Sequence, residues 1–520
     1  MNRKQKLLLL LLGVFIAWVS AWWIRAPGYM DADYYFATAK YIASGAGFSE
    51  PFVWNFLDHP AEIPHAAFQY WMPMTSFLAT LSQMIFGLGF RAAQLPFIAL
   101  TALLPLFSAW IAYKLHGDAQ LAWQSGLLAS VPGFYLPFFV TTDAFSIYAF
   151  LGPFWFFSVI LAYNKGQFFR WLLPGILAGI AHLTRADGLL FLLLGIFMVK
   201  YIPSGKLRAI GGMISGYLLI MVPWWIVNWN MTGTLMATGT GRLLWATTYD
   251  ELFAYPPEKI TFQRWIQSGL GTILLVRLQA LWANLKNLLF VNGVIFLSPI
   301  IFIGAWNQRR TMLMRLVFMY LILLLVLMSF VFPFAGSRGG FFHSSTAVMP
   351  ILWALAPFGL KIAIDKGVEI RNWQREQATG IFVPATFMLA AVVTLVLFWN
   401  RAIGGDYFNP GWSSEERIYQ EAAKWFEERG VDQAVVAVNN PPGFYTQSEL
   451  QAVVIPDGDE DTLRQVVDQF EVEWILLDNN YPAGLKELYE DPQSSNWLEL
   501  VDTLENTQGM KIFIFKVNVE

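Results

Sequence analysis

Two carboxylates, Asp31 and Asp33, stand two residues apart in a stretch of aromatic and small residues, Gly28 to Pro73. The stretch follows directly on an apolar run, Leu7 to Ile24. Carboxylates placed where a chain leaves a bilayer are costly unless they have work to do or partners to meet. Other polar groups stand in comparable places: His59 and His65 in the same stretch, Asp143 in TTDAF, Arg185 and Asp187 in LTRADG, and Arg338 and His343 in GSRGGFFHSS. Topology puts all of them at or near one membrane face. A transporter lines its path at mid-depth, whereas a cluster at the mouth suits chemistry on a lipid-borne substrate. The Gly28–Pro73 stretch therefore reads as the reaction centre of a membrane enzyme. The spacing of His59, His65 and His343 makes no zinc motif. The chain has no cysteine, which excludes disulfides, thiolate catalysis and Cys-based metal sites.

The elements that must carry these groups are membrane helices. The sequence is 56% hydrophobic and 14% charged, the composition of a polytopic membrane protein. MNRKQK before the first apolar run reads as the inside flank of a signal anchor, since no small-x-small cleavage site follows it. Apolar runs of about 20 residues mark the spans, and Lys/Arg flanks orient them. Leu7–Ile24 goes out, Ala92–Tyr113 returns, Leu121–Val140 goes out and Phe145–Tyr163 returns. Ile210–Trp229 goes out, Leu288–Trp306 returns, Leu316–Phe334 goes out, Met349–Ile364 returns and Ile381–Trp399 goes out. Met74–Leu88 is too short to span and reads as interfacial. Ile273–Leu289, in the long outer segment 230–287, is expected to lie along the interface. Trp171 to Lys200 has basic ends and Arg185 and Asp187 at its middle. It reads either as a broken hairpin with LTRADG at its apex or as one tilted helix with a buried Arg–Asp pair. Basic residues such as Lys114, Lys165, Lys200, Arg309, Arg310, Lys361 and Arg371 gather on the inner side. The N-terminus is then cytoplasmic and the C-terminal part extracytoplasmic.

Residues 406–520 carry 7 Lys and Arg against 23 Asp and Glu, the balance of an acidic soluble domain that does not favour nucleic acid. Ser413 with Glu416 is a capping-box pattern. AVVAV, LQAVVIP, EWILLD and KIFIFKV read as strands around a helix at Asp459–Phe470, a small α/β layer. NPPGFY reads as a turn. The domains are thus 1–400, transmembrane with outer loops 25–91 and 230–287, and 401–520, extracytoplasmic and used for scaffolding or acceptor docking.

The order of motifs resembles the GT-C-type membrane glycosyltransferases. One span leads to a long outer loop with an early Asp and G-x-G-F at Gly45–Phe48. LTRADG follows a short helix, PWWIVNWNMTG closes a later one, and an Arg-containing loop precedes a span near the end. The likeness covers roughly residues 7–400. It is nearest to the bacterial branch that includes dolichyl-phosphate-mannose-protein mannosyltransferase-like and aminoarabinose transferase-like enzymes. Where protein mannosyltransferases have Asp-Glu in the first loop, this chain has Asp31-Ala32-Asp33.

The resemblance implies a GT-C-like body of about 10–12 spans with a small C-terminal α/β domain. It implies a hexosyl- or pentosyltransferase that uses a polyprenyl-phosphate-sugar donor on the outer face of the plasma membrane. The acceptor hydroxyl would belong to protein, lipid or a cell-envelope glycan, and transfer would be inverting. Asp31 matches the first-loop Asp and is the expected base. Arg338 and Arg185 are the expected phosphate partners. Asp33, His65 and His343 are expected to bind donor or acceptor. Asp143 resembles a second-loop acid that some relatives use for a divalent ion, so Asp31 and Asp143 are candidate ligands of Mg2+ or Mn2+; other branches need no metal. Asp143 equally suits a helix N-cap, and Arg185 with Asp187 equally suits a structural pair. Trp54, Phe56, Tyr70 and Trp71 are expected in an interfacial belt, with a platform for the sugar as the alternative. The rival functions are a lipid-linked-sugar flippase and a catalytically inactive binding relative.

Overall fold

The computed structural model describes residues 1–163, 166–237, 239–505, 509 and 511–518. Lys165 lies outside them. Among the described residues, eight helices are long and apolar enough to cross a membrane, from Arg3–Trp23 to Arg375–Ile403. Three shorter apolar helices, Met74–Phe86, Phe168–Thr184 and Ala186–Val199, join them. The chain is a polytopic helical membrane protein with a C-terminal domain built on strands.

Residues 168–199 form the broken hairpin. The Phe168–Thr184 helix stops at Arg185, whose backbone is extended (φ -152°, ψ 141°), and a second helix runs Leu189–Val199. An Arg and an Asp cannot sit in lipid unpaired, so the break turns both into a protein-lined cavity. Glycines hold this hairpin close to the Lys206–Thr232 helix. Cβ atoms on Gly175 and Gly216 would fall 2.1 and 2.2 Å from the carbonyl oxygens of Met213 and Leu172, so only glycine permits this backbone approach.

Three apolar stretches depart from the single helices expected of them. Leu121–Val140 is broken: a helix over Ala119–Ala129 ends before Pro132, and a short one, Leu136–Phe139, follows. Pro132 lacks the N–H that would continue the ladder. The stretch Ile273–Leu289 belongs to a helix starting at Leu270 that continues through a π-turn to Asn292, long and apolar enough to span. Leu288–Trp306 is therefore two pieces, the end of that helix and Ser298–Gln308.

The loop after the first span and the C-terminal domain are one body. Strands β1 (Ser49–Glu50), β2 (Phe52–Val53) and β3 (His65–Ala66) lie in the loop. β4 (Val435–Val438), β5 (Gln451–Val454), β6 (Trp474–Asp478), β7 (Leu498–Glu505) and β8 (Lys511–Val517) follow in the domain. β2 joins the domain's sheet, whose order is β2-β5-β4-β6-β8-β7. The first four strands run parallel, with Phe52 opposite Ala452 and Val53 opposite Val453. The loop thus supplies the edge strand of a sheet whose other members begin near residue 435. Two local expectations are corrected. Ser413 makes no side-chain cap to the Ser414–Glu428 helix, because its backbone (φ -101°, ψ 19°) is not extended like that of a capping residue. NPPGFY is not a turn but the start of a helix, Pro441–Ser448, capped by Asn440 with proline in its first turn, where no N–H is needed.

Trp412 fastens the domain to the membrane body. Its indole N–H faces the carbonyls of Ala26 and Pro27, each at 3.0 Å. Gly28, at φ +90°, lies directly against the indole, where a Cβ would come within 2.1 Å of Nε1. Gly28→Ala is expected to cost about 1–3 kcal/mol through backbone strain and this clash. A lower melting temperature and faster proteolysis near residue 405 would show it.

Candidate functional site

Asp31 lies in the first turn of the helix Met30–Ala43, which starts where the chain leaves the first span. It faces a cavity of about 810 Å³. Arg185, Asp187, Arg338 and His343 line the same cavity, as do Trp54, Tyr70, Trp71 and Tyr249. Helices far apart in sequence bring these groups together, and the C-terminal domain forms the opposite wall through Asn439, Asp457, Asn480 and Tyr481.

Two of the lining residues, Asp31 and His343, form a trio with Asp143 behind them. Asp31, Asp143 and His343 each offer one ligand atom, all within 4.8 Å of one another. His343 Nε2 is 3.0 Å from Asp143 Oδ2 and 3.7 Å from Asp31 Oδ2. His343 Nδ1 lies 2.8 Å from the Gly339 carbonyl, which can only accept, so Nδ1 donates there; Nε2 meets the Asp143 carboxylate, which also only accepts, so it donates to Asp143 Oδ2. Gly339 takes φ +145°, open only to glycine, inside the kinked helical run Pro333–Arg371. Asp143 is fully buried; its Oδ2 also accepts from the Tyr29 hydroxyl at 2.5 Å. Burial pushes the Asp143 carboxyl up, but His343, Tyr29 and the Ala144 N–H outweigh it and hold the carboxyl below its ordinary range. Asp31 differs. Its side chain is 31% exposed, against 0% for Asp143 and 8% for His343. Burial raises its carboxyl to about 6; His343 opposes that shift and the Asp143 charge adds to it. Asp31 is thus the member of the trio that can meet a substrate, and it is ionised yet basic at neutral pH.

The two arginines stand differently. Arg185 Nε is 3.1 Å from Asp187 Oδ1 and 3.0 Å from the Ser344 hydroxyl, and Asp187 also receives that hydroxyl. Its charge is matched on the spot. Arg338 lies over the Tyr249 ring at 4.7 Å, and no carboxylate pairs with it among the described residues. Of the two arginines it is the one without a carboxylate partner among the described residues. Trp54 and Trp71 are stacked at 3.8 Å and 12°, with Tyr70 edge-on to Trp54 at 4.8 Å. Three of these aromatics, Trp54, Tyr70 and Trp71, wall the cavity, the place of a sugar platform. Phe56 packs instead in the core of the sheet, against Tyr255 and Phe470.

Asp33 and His65, expected to bind substrate, are not in the cavity. Residues two apart on a helix point about 200° apart, so Asp33 turns away from Asp31 into the domain interface. Its Oδ2 accepts from Asn440 Nδ2 at 2.9 Å, next to Glu415. His65 Nε2 faces the Phe52 carbonyl at 2.9 Å and Glu50 at 3.6 Å. His59 pairs with Glu258 at 3.1 Å. Glu50 is itself buried, and burial pushes its carboxyl up to about 8. Folded protein therefore keeps a proton that unfolded chain, near 4.5, releases, so stability falls as pH rises between those values. Glu50→Gln is expected to raise the melting temperature relative to wild type above about pH 8 and not near about pH 4, as thermal scans across pH would show.

Tyr249 and Ser344 make contacts at the site that no spacing in the sequence announces. Tyr29 had the one usable signal, its place two residues before Asp31.

No protein-family model and no curated protein matches the sequence. Solved structures do match the fold. ArnT from Cupriavidus metallidurans, bound to undecaprenyl phosphate, has a TM-score of 0.60 at 13% identity, over 100% of this chain and 99% of that one. The oligosaccharyltransferase of Archaeoglobus fulgidus, in a complex with Zn and sulfate, has a TM-score of 0.53 at 13% identity, over 99% and 73%. The same organism's AglB, with an inhibitory peptide and a dolichol-phosphate, has 0.51 at 13%, over 91% and 69%. From the first span to the last strand, the chain has the fold of the GT-C glycosyltransferases.

Proposed function

We propose that this protein transfers a sugar from a polyprenyl-phosphate donor to an acceptor hydroxyl, with inversion, on the outer face of the membrane. One observation carries the reading: a basic carboxylate, Asp31, and a guanidinium without a carboxylate partner among the described residues, Arg338, line a single cavity between the membrane body and the C-terminal domain. The acceptor oxygen attacks the anomeric carbon as Asp31 takes its proton. The bond from that carbon to the phosphate oxygen breaks, and the lipid phosphate leaves as an anion. Arg338 meets the charge that develops there. The Trp54–Trp71 stack offers a flat apolar wall to the sugar ring. ArnT and AglB, which share the fold, were seen with undecaprenyl phosphate and a dolichol-phosphate. The basic inner loops support a cytoplasmic N-terminus and an extracytoplasmic C-terminal domain.

A divalent ion fits the trio. The His343 ring is anchored through Nδ1, and Nε2, which gives up its proton when a metal binds, converges with two carboxylate oxygens into a ligand set that a cation completes. One imidazole beside two carboxylates suits Mn2+ better than Mg2+, which takes oxygen alone. Asp143 and His343 would hold the ion with one Asp31 oxygen, which leaves the other Asp31 oxygen to take the acceptor's proton; the ion would supply positive charge near the departing phosphate. Chelation of the purified protein is expected to lower transfer, and Mn2+ to restore it at lower concentration than Mg2+. His343→Ala should raise the Mn2+ requirement at least about ten-fold, read both from activity and from Mn2+-dependent stabilisation against heat.

Proteoliposomes loaded with polyprenyl-phosphate sugars test the reading. Mass spectrometry is expected to show the glycolipid consumed and bare polyprenyl phosphate formed. Glycolipid that changes leaflet without being consumed would instead identify a flippase.

A further inference from the structure

The parallel part of the outer sheet winds in two directions from β4. The chain leaves β4 for β5 on one side through the Pro441–Ser448 helix. It then crosses back through the helix Glu460–Phe470 to β6 on the other side of β4. In open α/β sheets, ligands bind in the crevice beyond the carboxyl ends of two strands whose connections diverge. Here that crevice lies between Asn439, just after β4, and Asp478 to Asn480, at the end of β6. It opens onto the cavity that holds Asp31, which Asn439, Asn480 and Tyr481 also line.

We propose that this crevice is the acceptor subsite and that it takes the hydroxyls of an uncharged saccharide. The proposal rests on the transferase reading above and adds the class of acceptor. Three observations support it. The first is hydrogen-bonding capacity. Asn439 Nδ2 donates to Asp478, which leaves the Asn439 Oδ1 to accept. Asp478 also accepts the Asn480 backbone N–H at 2.7 Å, which fixes the turn that presents the Asn480 side chain. Carboxamides and a phenol offer donors and acceptors side by side, the match for neighbouring hydroxyls.

The second is charge. The domain side of the cavity carries Asp457 and, from the outer segment beside it, Asp250. Two cations stand nearby, but neither lines the cavity: Arg264 pairs with Glu251 at 2.8 Å, and Lys259 is tethered to the Tyr255 carbonyl at 2.8 Å. The cavity's own cations, Arg185 and Arg338, come from the membrane body. An acceptor bearing phosphate or carboxylate would meet like charge at the domain side. The third is the direction of approach. The cavity faces strand ends, whereas the free edges of the sheet are β2 and β7. A peptide would find no backbone ladder to extend at this place.

Saturation-transfer NMR on the full chain in nanodiscs tests this with four probes: methyl α-mannoside, methyl β-glucoside, methyl β-glucuronide and a blocked Ala-Thr-Ala peptide. At least one neutral glycoside is expected to bind, and to bind more tightly than the glucuronide and the peptide. Asn480→Ala, at an exposed position, should weaken it about five- to ten-fold, the loss of one or two hydrogen bonds. Asp457→Asn should narrow the gap between glucoside and glucuronide. Failure of both neutral glycosides to bind, binding unchanged by Asn480→Ala, or preference for glucuronide or peptide overturns the proposal. The same preparation is titrated with undecaprenyl phosphate. Loss of that binding with glycoside binding intact counts against the transferase reading and leaves the saccharide subsite standing.

Discussion

Asp31→Asn is expected to lower the rate of sugar transfer about 10²–10⁴-fold, the usual contribution of a positioned general base. Asn keeps the volume of the side chain and cannot take the acceptor's proton. Asp31 is the partly exposed member of the trio, so the change leaves the buried contacts of Asp143 with His343 and Tyr29 in place. With Mn2+ in excess, so that the weaker ligand set stays occupied, melting temperature and undecaprenyl phosphate affinity should therefore stay near wild type while turnover falls. Asp33→Asn is the matched control. It lies two residues on, faces Asn440 and the Glu415 side of the domain, and should leave turnover unchanged. Equal losses in the two variants would show that the helix Met30–Ala43 needs its acids for structure and would remove Asp31 from the chemistry.

Arg338→Ala should act on the donor. A hydrogen bond between charged groups contributes about 1.5–3 kcal/mol, so donor affinity should fall roughly 10- to 100-fold. The fold should hold, because Arg338 is exposed and its contact is the Tyr249 face. Arg338→Lys should recover part of the loss, since a point charge replaces a fork that can contact two phosphate oxygens. Arg185→Ala should behave differently. It strands Asp187 at the apex of the broken hairpin, so its main effect is on stability. Donor titrations on the two alanine variants separate these roles: a change in affinity at stable protein for Arg338, a loss of stable protein for Arg185.

The sequence shows some of this and hides the rest for physical reasons. Apolar runs and basic flanks mark the membrane body because lipid imposes length and charge rules on each segment separately. The hairpin break is legible at LTRADG because no single span tolerates that pair at its centre. What is hidden depends on contacts between distant segments. Whether Asp31 or Asp33 faces the cavity is set by helix phase, which a two-residue spacing does not reveal until one face is packed. That His343 joins Asp31 and Asp143 follows from a glycine kink at Gly339, and no metal-ligand spacing exists because the three residues come from three distant segments. β2 is two residues long and pairs with a strand about 400 positions away, so no local pattern marks it. Asn440 illustrates the same limit. NPPGFY has the composition of a turn, yet Pro at the start of a helix is equally at home, and only the packing decides.

The most direct measurement is a structure of the protein in nanodiscs with undecaprenyl phosphate. The account predicts phosphate density in the cavity against Arg338, on the side where Asp31 and His343 converge, with the lipid tail leading into the membrane body. Phosphate bound outside this cavity, or within it but away from both Arg338 and Asp31, would contradict the account.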